Sequence, residues 1–210
     1  MNGNVNGISW VLVTPPAAEP VLLAEARDHA KYSQTDNDAA LGRFLIAARQ
    51  AAEDYLGRGL ITQTWKLTLP EFYDVMYLPM AAPLQSVTTV KYYDINNTQQ
   101  TLASTFYDVD ITTRPGRLCR ASQQVWPAIA PNRLVGRVEI TYVVGFGADG
   151  TTVPERIKQG IRMYLTYLDA DRDGMELAGE QAMKAAESCW TDRVRWIEPS
   201  PSYSYGGSYR

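Results

Sequence analysis

The hydrophobic period changes twice along the chain, from helical to alternating and back, and this pattern limits the possible folds more than any other feature. In DAALGRFLIAARQAAEDYLGRG, Leu41, Phe44, Leu45, Ala48, Ala52, Tyr55 and Leu56 recur at helical spacing. Asp36 and Asn37 suit its amino-terminal cap, and Gly57 and Gly59 end it. From Leu60 to Gly147 the period is two. TQTWKLTL alternates Trp65, Leu67 and Leu69 with polar neighbours, and SVTTVKYYD, FYDVDIT, GRLCR and GRVEITYVVGF are rich in strand-forming Val, Thr, Ile and Tyr. DINN and RPGR between them are turn sequences, because Asn and Gly tolerate positive φ and Pro fixes a corner. VPERIKQGIRMYLTYLDADRD then returns to the helical period, with Pro154 in its first turn and Ile157, Ile161, Tyr164, Leu165 and Leu168 on one stripe. EQAMKAAESCWTDRVRWIE continues as a last helical stretch, and VLLAEARDHAKY makes a short helix after the Pro-rich TPPAAEP.

Helices on both sides of an alternating block predict an α+β fold: a helical bundle from the N- and C-terminal thirds with an inserted antiparallel β unit of five or six strands. The corresponding divisions are 1–59 (N-terminal arm and helices), 60–150 (β insertion), 151–198 (C-terminal helices packing on the N-terminal ones) and 199–210 (an extended docking tail). No internal repeat is visible. The tail segment SPSYSYGGSYR holds too little apolar surface to offset its own ordering entropy, as does MNGNVNG at the other end. Both ends are therefore expected to lie against other chains, with Tyr203, Tyr205 and Tyr209 as aromatic anchors.

A chain of 210 residues with 45% hydrophobic content can bury one sizeable core or two small ones. Its net charge of −3 and lack of any basic run give no electrostatic reason to expect a nucleic-acid reader. Cys119 and Cys189 are far apart and lack metal-ligand spacing, which reads most simply as two reduced thiols in a cytoplasmic product. There is no basic leader and no apolar run near the roughly 20 residues that span a bilayer, so the reading is soluble and not secreted.

Candidate chemistry is sparse. DADRDGMELAGE fits the calcium-loop template, with Asp169, Asp171 and Asp173 aimed at one hard cation, Gly174 at the sharp turn and Glu180 as the bidentate closer. Against calcium, Glu176 stands where paired loops carry an apolar residue, and no second loop exists to pair with it. No other cofactor is implied. His29 sits among charged residues and reads as a surface side chain, lacking the orienting partner a catalytic base needs. Gly145, Gly147 and Gly150 read as a loop rather than a phosphate cradle. Glu53 and Asp54 are adjacent on a helix and point apart, so they read as a solvated face. Trp65 and Trp126 read as packing aromatics. With no nucleophile, base and orienter to name together, the chain reads as non-enzymatic.

The ordered series VTPPAAEPVLLAEARDHAKY, AARQAAEDYLGRGLITQTWKLTL, APLQSVTTVKYYD, YDVDITTRPGRL, Trp126-Pro127, GRVEITYVVGFG and VPERIKQGI resembles the head-tail connector (adaptor) proteins of tailed bacteriophages and prophages. The resemblance runs from about Val13 to about Leu168, and YLGRGLITQTW is its most specific piece. It implies a virion-neck protein made in the host bacterial cytoplasm, which docks in twelve copies as a ring beneath the portal. It further implies that the ring extends the DNA channel, passes the genome without reading its sequence, offers tail or neck proteins a surface and involves no membrane. On the same resemblance, Trp196, Tyr203, Tyr205, Tyr209 and Arg210 would dock against the portal or a neighbour, Tyr209 and Arg210 matching a Tyr-Arg ending common in the family. After Leu168 the sequence departs from the family pattern. The alternative reading is a calcium-binding interaction module built on loop 169–180.

Overall fold

The computed structural model describes residues 3–5, 7–32, 35, 37–170 and 178–195. The fold is mixed α+β, with four α-helices and nine strands among the described residues. It divides into two compact units, one of Pro15–Gln63 with Gly145–Val194, the other of Asn2–Thr14 with Thr64–Val144.

The first unit is helical. α1 (Leu23–His29) and α2 (Asp38–Leu56) are joined by a fork in which the Arg27 guanidinium donates to both carboxylate oxygens of Asp38, at 2.9 and 2.7 Å. α2 buries Leu41, Leu45, Ala48, Ala52 and Leu56, the stripe legible in the sequence. These residues share one core with Ile157, Ile161 and Leu165 of α3 (Glu155–Ala170), with Ala186 of α4 (Ala178–Cys189) and with Trp190. Gly160 is small for a packing reason: a Cβ there would run into the indole of Trp190. That ring donates through Nε1 to the Ile157 carbonyl at 3.3 Å, and Tyr55 and Tyr164 tilt against it at centroid distances of 5.8 and 6.2 Å.

The second unit is built from sheets. Strands β1 (Gly3–Val5), β2 (Ile8–Thr14), β3 (Gln63–Leu69), β9 (Val138–Val144), β5 (Leu84–Tyr93) and β6 (Gln99–Thr101) lie in that order in one six-stranded sheet. β4 (Val75–Tyr77), β8 (Arg117–Arg120) and β7 (Tyr107–Asp110) form a three-stranded antiparallel one. β3 and β9 alternate buried and half-buried residues without a break, so Trp65, Leu67, Leu69, Val138, Ile140, Tyr142 and Val144 enter the core on a strict period of two. The buried Tyr142 hydroxyl donates to the Pro79 carbonyl at 2.8 Å, and burial pushes its pKa well above the ordinary phenol value. Trp126 stacks on Phe72 at 4.7 Å, a packing role like that of Trp65.

Three features differ from the sequence reading. The last helical stretch, expected to continue through WTDRVRWIE, ends at Cys189, and residues 190–195 are irregular because their backbone and charged groups bond to the end of α2 instead of to a further helical turn. Between 60 and 150 the described residues hold seven strands rather than five or six, because β4 and β6 are three residues long and too short to show a period. The amino-terminal residues, expected to lie against other chains, pair within their own. β1 is antiparallel to β2, and β2 is antiparallel to β3 in the register Ser9↔Thr68 and Trp10↔Leu67. The apolar run ISWVLVT, which carries no alternation, is thereby held next to β3.

The turn sequence DINN folds as its residues dictate. In DINN, Asp94 Oδ1 accepts the N–H groups of Asn96 and Thr98 at 2.9 and 3.0 Å, and Asn97 takes a φ of 59°. Before RPGR, Asp110 Oδ1 accepts the Thr112 hydroxyl and N–H at 2.6 and 2.9 Å, and its Oδ2 accepts Arg117 Nε at 3.0 Å. The Thr112 bonds, more than the arginine, hold the Asp110 carboxyl at about 2. A depressed carboxylate favours the fold above its ordinary value of about 3.9 and loses that contribution as pH falls toward 2. An NMR titration should place the Asp110 midpoint near 2, and Thr112→Val should move it upward. A midpoint at the ordinary aspartate value would show that the turn does not hold the charge.

Candidate functional site

The segment with the most buried polar chemistry is the reversal from α2 into β3, Leu56 to Gln63. α2 stops because Gly57 adopts the left-handed conformation, with a φ of 67°, and returns its N–H to the Glu53 carbonyl at 2.9 Å. The chain then doubles back over the Glu53 side chain. Glu53 Oε1 accepts the Leu60 N–H at 2.8 Å and Gln63 Nε2 at 2.7 Å, while Oε2 accepts Arg49 Nη1 at 2.6 Å. Arg49 Nε also donates to Glu19 Oε2 at 2.8 Å. Burial pushes the Glu53 carboxyl above its ordinary range; Arg49, the Leu60 N–H and Gln63 pull it back by bonding the charged form. Glu19 sits in the same balance between burial and Arg49.

This corrects the reading of Glu53 and Asp54 as a solvated face. Asp54 is exposed, but Glu53 is fully buried. Its charge partner, Arg49, lies one turn back on α2, and the neutral Gln63 amide donates from ten residues ahead, across the reversal.

On its other side the reversal grips the chain that follows α4. The buried Arg58 guanidinium donates through Nη2 to the Asp192 carbonyl and pairs with Asp192 Oδ2 at 3.0 Å. The Val194 N–H donates at 2.8 Å to the Leu56 carbonyl, one of the acceptors that a helix end leaves open. Gly57 admits this approach, since a Cβ there would meet the Val194 carbonyl. The Arg193 guanidinium lies 5.2 Å from the Tyr55 ring centre. Residues 192–194 are thus clasped to the end of α2, and the clasp fixes the point from which the following residues depart. Its charged groups are spent on backbone and ion-pair bonds, so the arrangement is suited to positioning a segment.

Of the acidic loop residues, Asp169 lies in the last turn of α3 and its Oδ2 accepts the Tyr32 hydroxyl at 2.6 Å. Asp171 and Asp173 lie outside the described residues, as does the side chain of Glu180. Trp196, Tyr203, Tyr205, Tyr209 and Arg210 also lie outside them. Among the described residues no three His, Cys, Asp or Glu side chains are grouped to hold a metal ion, and no helix is long and apolar enough to cross a membrane. His29 is half-buried rather than fully solvated, and its pKa is lowered by burial and then by the charge of Arg162. Cys119 and Cys189 are free thiols. Sequence reasoning missed Arg58 and Asp192. The available signal was an arginine set between two helix-ending glycines, where an exposed turn has no need of one.

No protein-family model and no curated protein matches the chain. Solved structures do. A chain in the neck of an empty gene transfer agent (GTA) particle, computed with C6 symmetry, matches with a TM-score of 0.73 and 26% identity, over 91% of this chain and 98% of that one. A chain in the virion of the native GTA particle matches with a TM-score of 0.73 and 25% identity, again over 91% and 98%. A third, in the neck of the native particle computed with C12 symmetry, matches with a TM-score of 0.66 and 25% identity, over 96% and 99%.

Proposed function

We propose that the protein is a structural head-tail connector in the neck of a tailed phage or phage-like particle. Its copies form a ring below the portal, extend the DNA channel and give tail or neck proteins an attachment surface. One observation carries the reading: the fold is shared over 91% of this chain and 98% of a chain in a GTA neck, which leaves little of either chain for a separate activity. The C6 and C12 symmetries of those necks support a ring, since a subunit repeated about an axis presents unlike, complementary surfaces to its two neighbours. In this reading the helices of the first and last thirds act as one bundle, and no catalysis is required. The genome passes unread, in keeping with a net charge of −3. The clasp at 192–194 sets the starting point of a docking tail that carries Trp196, Tyr203, Tyr205, Tyr209 and Arg210 to the portal or a neighbouring copy. Electron cryo-microscopy of the protein mixed with its portal is expected to show a closed ring of copies beneath the portal. A chain that stays solitary and off the portal would overturn the proposal.

A further inference from the structure

We infer that loop 130–137 is a preformed docking knob, and that it seats in the apolar groove between α1 and α2 of a second copy of this chain. The inference rests on the ring reading above and assigns one of its contacts to residues.

The loop is unusually well tied for a surface connection. Its ends are bonded to one residue: the Ala130 N–H donates to the Tyr93 carbonyl and the Tyr93 N–H to the Arg137 carbonyl, each at 2.9 Å. Inside it, Arg133 Nε donates to the Gly136 carbonyl at 3.2 Å, while Arg137 donates through Nε to the Arg133 carbonyl and through Nη2 to the Pro131 carbonyl at 3.2 Å. The Arg133 guanidinium stacks 3.6 Å above the Tyr93 ring, and Gly136 supplies the left-handed corner with a φ of 69°. At the tip of this brace Leu134 and Val135 are 81% and 66% exposed. Two adjacent apolar side chains held outward on a loop whose ordering cost is already met are preorganised for burial against something else.

The groove has the complementary character. It encloses about 460 Å³ and is walled by Val21, Leu22, Leu23, Gly42, Leu45 and Ile46. Leu22 is 65% and Ile46 43% exposed, and a Cβ placed on Gly42 would meet nothing within 4 Å. The fork between Arg27 and Asp38 holds the two helices that form it. Its rim carries Asp149 and Glu19, the latter already bonded to Arg49, together with Arg43, whereas the knob carries Arg133 and Arg137. An apolar anchor in a pocket with opposite charges around it is the usual anatomy of a specific contact. A second copy is the occupant that fits, because similar chains stand in necks of C6 and C12 symmetry, where every subunit must both project and receive.

The test uses two tagged forms of the full chain in a C119S/C189S background, one with Leu134→Cys and the other with Ile46→Cys. They are assembled together, with portal present, and oxidised with copper and dissolved oxygen. A disulfide joining the two tags, absent when either form is oxidised alone, is expected. Leu134→Asp and Gly42→Leu, the first at an exposed tip and the second into open space, should each raise the concentration needed for ring assembly about tenfold or more, with unchanged circular dichroism. Rings that assemble normally with both variants and give no cross-link would overturn the knob-and-groove contact while leaving the ring intact. They would assign the knob to the portal or a tail protein instead. Failure of the unmodified chain to form any ring would remove the ring reading, and this contact with it.

Discussion

Replacing Glu53 by alanine is expected to destabilise the protein by about 3–5 kcal/mol, the cost of removing one partner from a buried ion pair. The carboxylate binds Arg49, the Leu60 N–H and Gln63 at once, and all of them would lose their acceptor in a site closed to water. Arg49 would keep only Glu19 as a carboxylate partner. Glu53→Gln, which preserves shape and one carbonyl acceptor but removes the charge, should cost less than the alanine variant. Gln63→Ala removes a single donor and should cost about 1 kcal/mol. Urea unfolding monitored by circular dichroism gives the ranking. A loss below about 1 kcal/mol for Glu53→Ala would mean that water replaces the carboxylate and that the reversal does not depend on it.

Deleting 199–210 is expected to abolish attachment to the portal while leaving the thermal transition of the chain within a degree or two. The clasp is made within residues 56–194, where Arg58 holds Asp192 and Leu56 accepts from Val194, and the deletion leaves these bonds in place. Co-sedimentation of the truncated chain with portal complexes reads the first effect and calorimetry the second. Arg58→Ala separates aiming from binding. It keeps residues 199–210 but removes the grip on Asp192, so attachment should weaken without vanishing, alongside a measurable loss of stability. Full attachment of the truncated chain would assign docking to another surface.

The two helical stripes and the alternating strands were legible because each is a local repeat that burial then used without change. Leu41 to Leu56 on α2 and Trp65 to Leu69 on β3 are the clearest cases. The end of α2 at Gly57 was equally local. Glu53 was not, since whether a helical carboxylate is solvated depends on which chain passes over it, and here that chain includes Leu60 and Gln63. The clasp was hidden for the same reason at longer range, joining Arg58 to Asp192 across most of the chain. β2 lacked alternation, and its pairing with β1 and β3 identifies it as a strand. Within YLGRGLITQTW, Leu56, Arg58, Leu60, Ile61, Gln63 and Trp65 are all buried.

The closing bond from Val194 to Leu56 also sets an order of events during synthesis. At about 5–20 residues per second, a ribosome adds Val194 on the order of ten seconds after it has passed Gln63. Through that interval the apolar side of α2 waits for α3, α4 and Trp190, whereas the strands can already pair with one another. The bond from Val194 to Leu56 therefore closes only once nearly everything before it has been made.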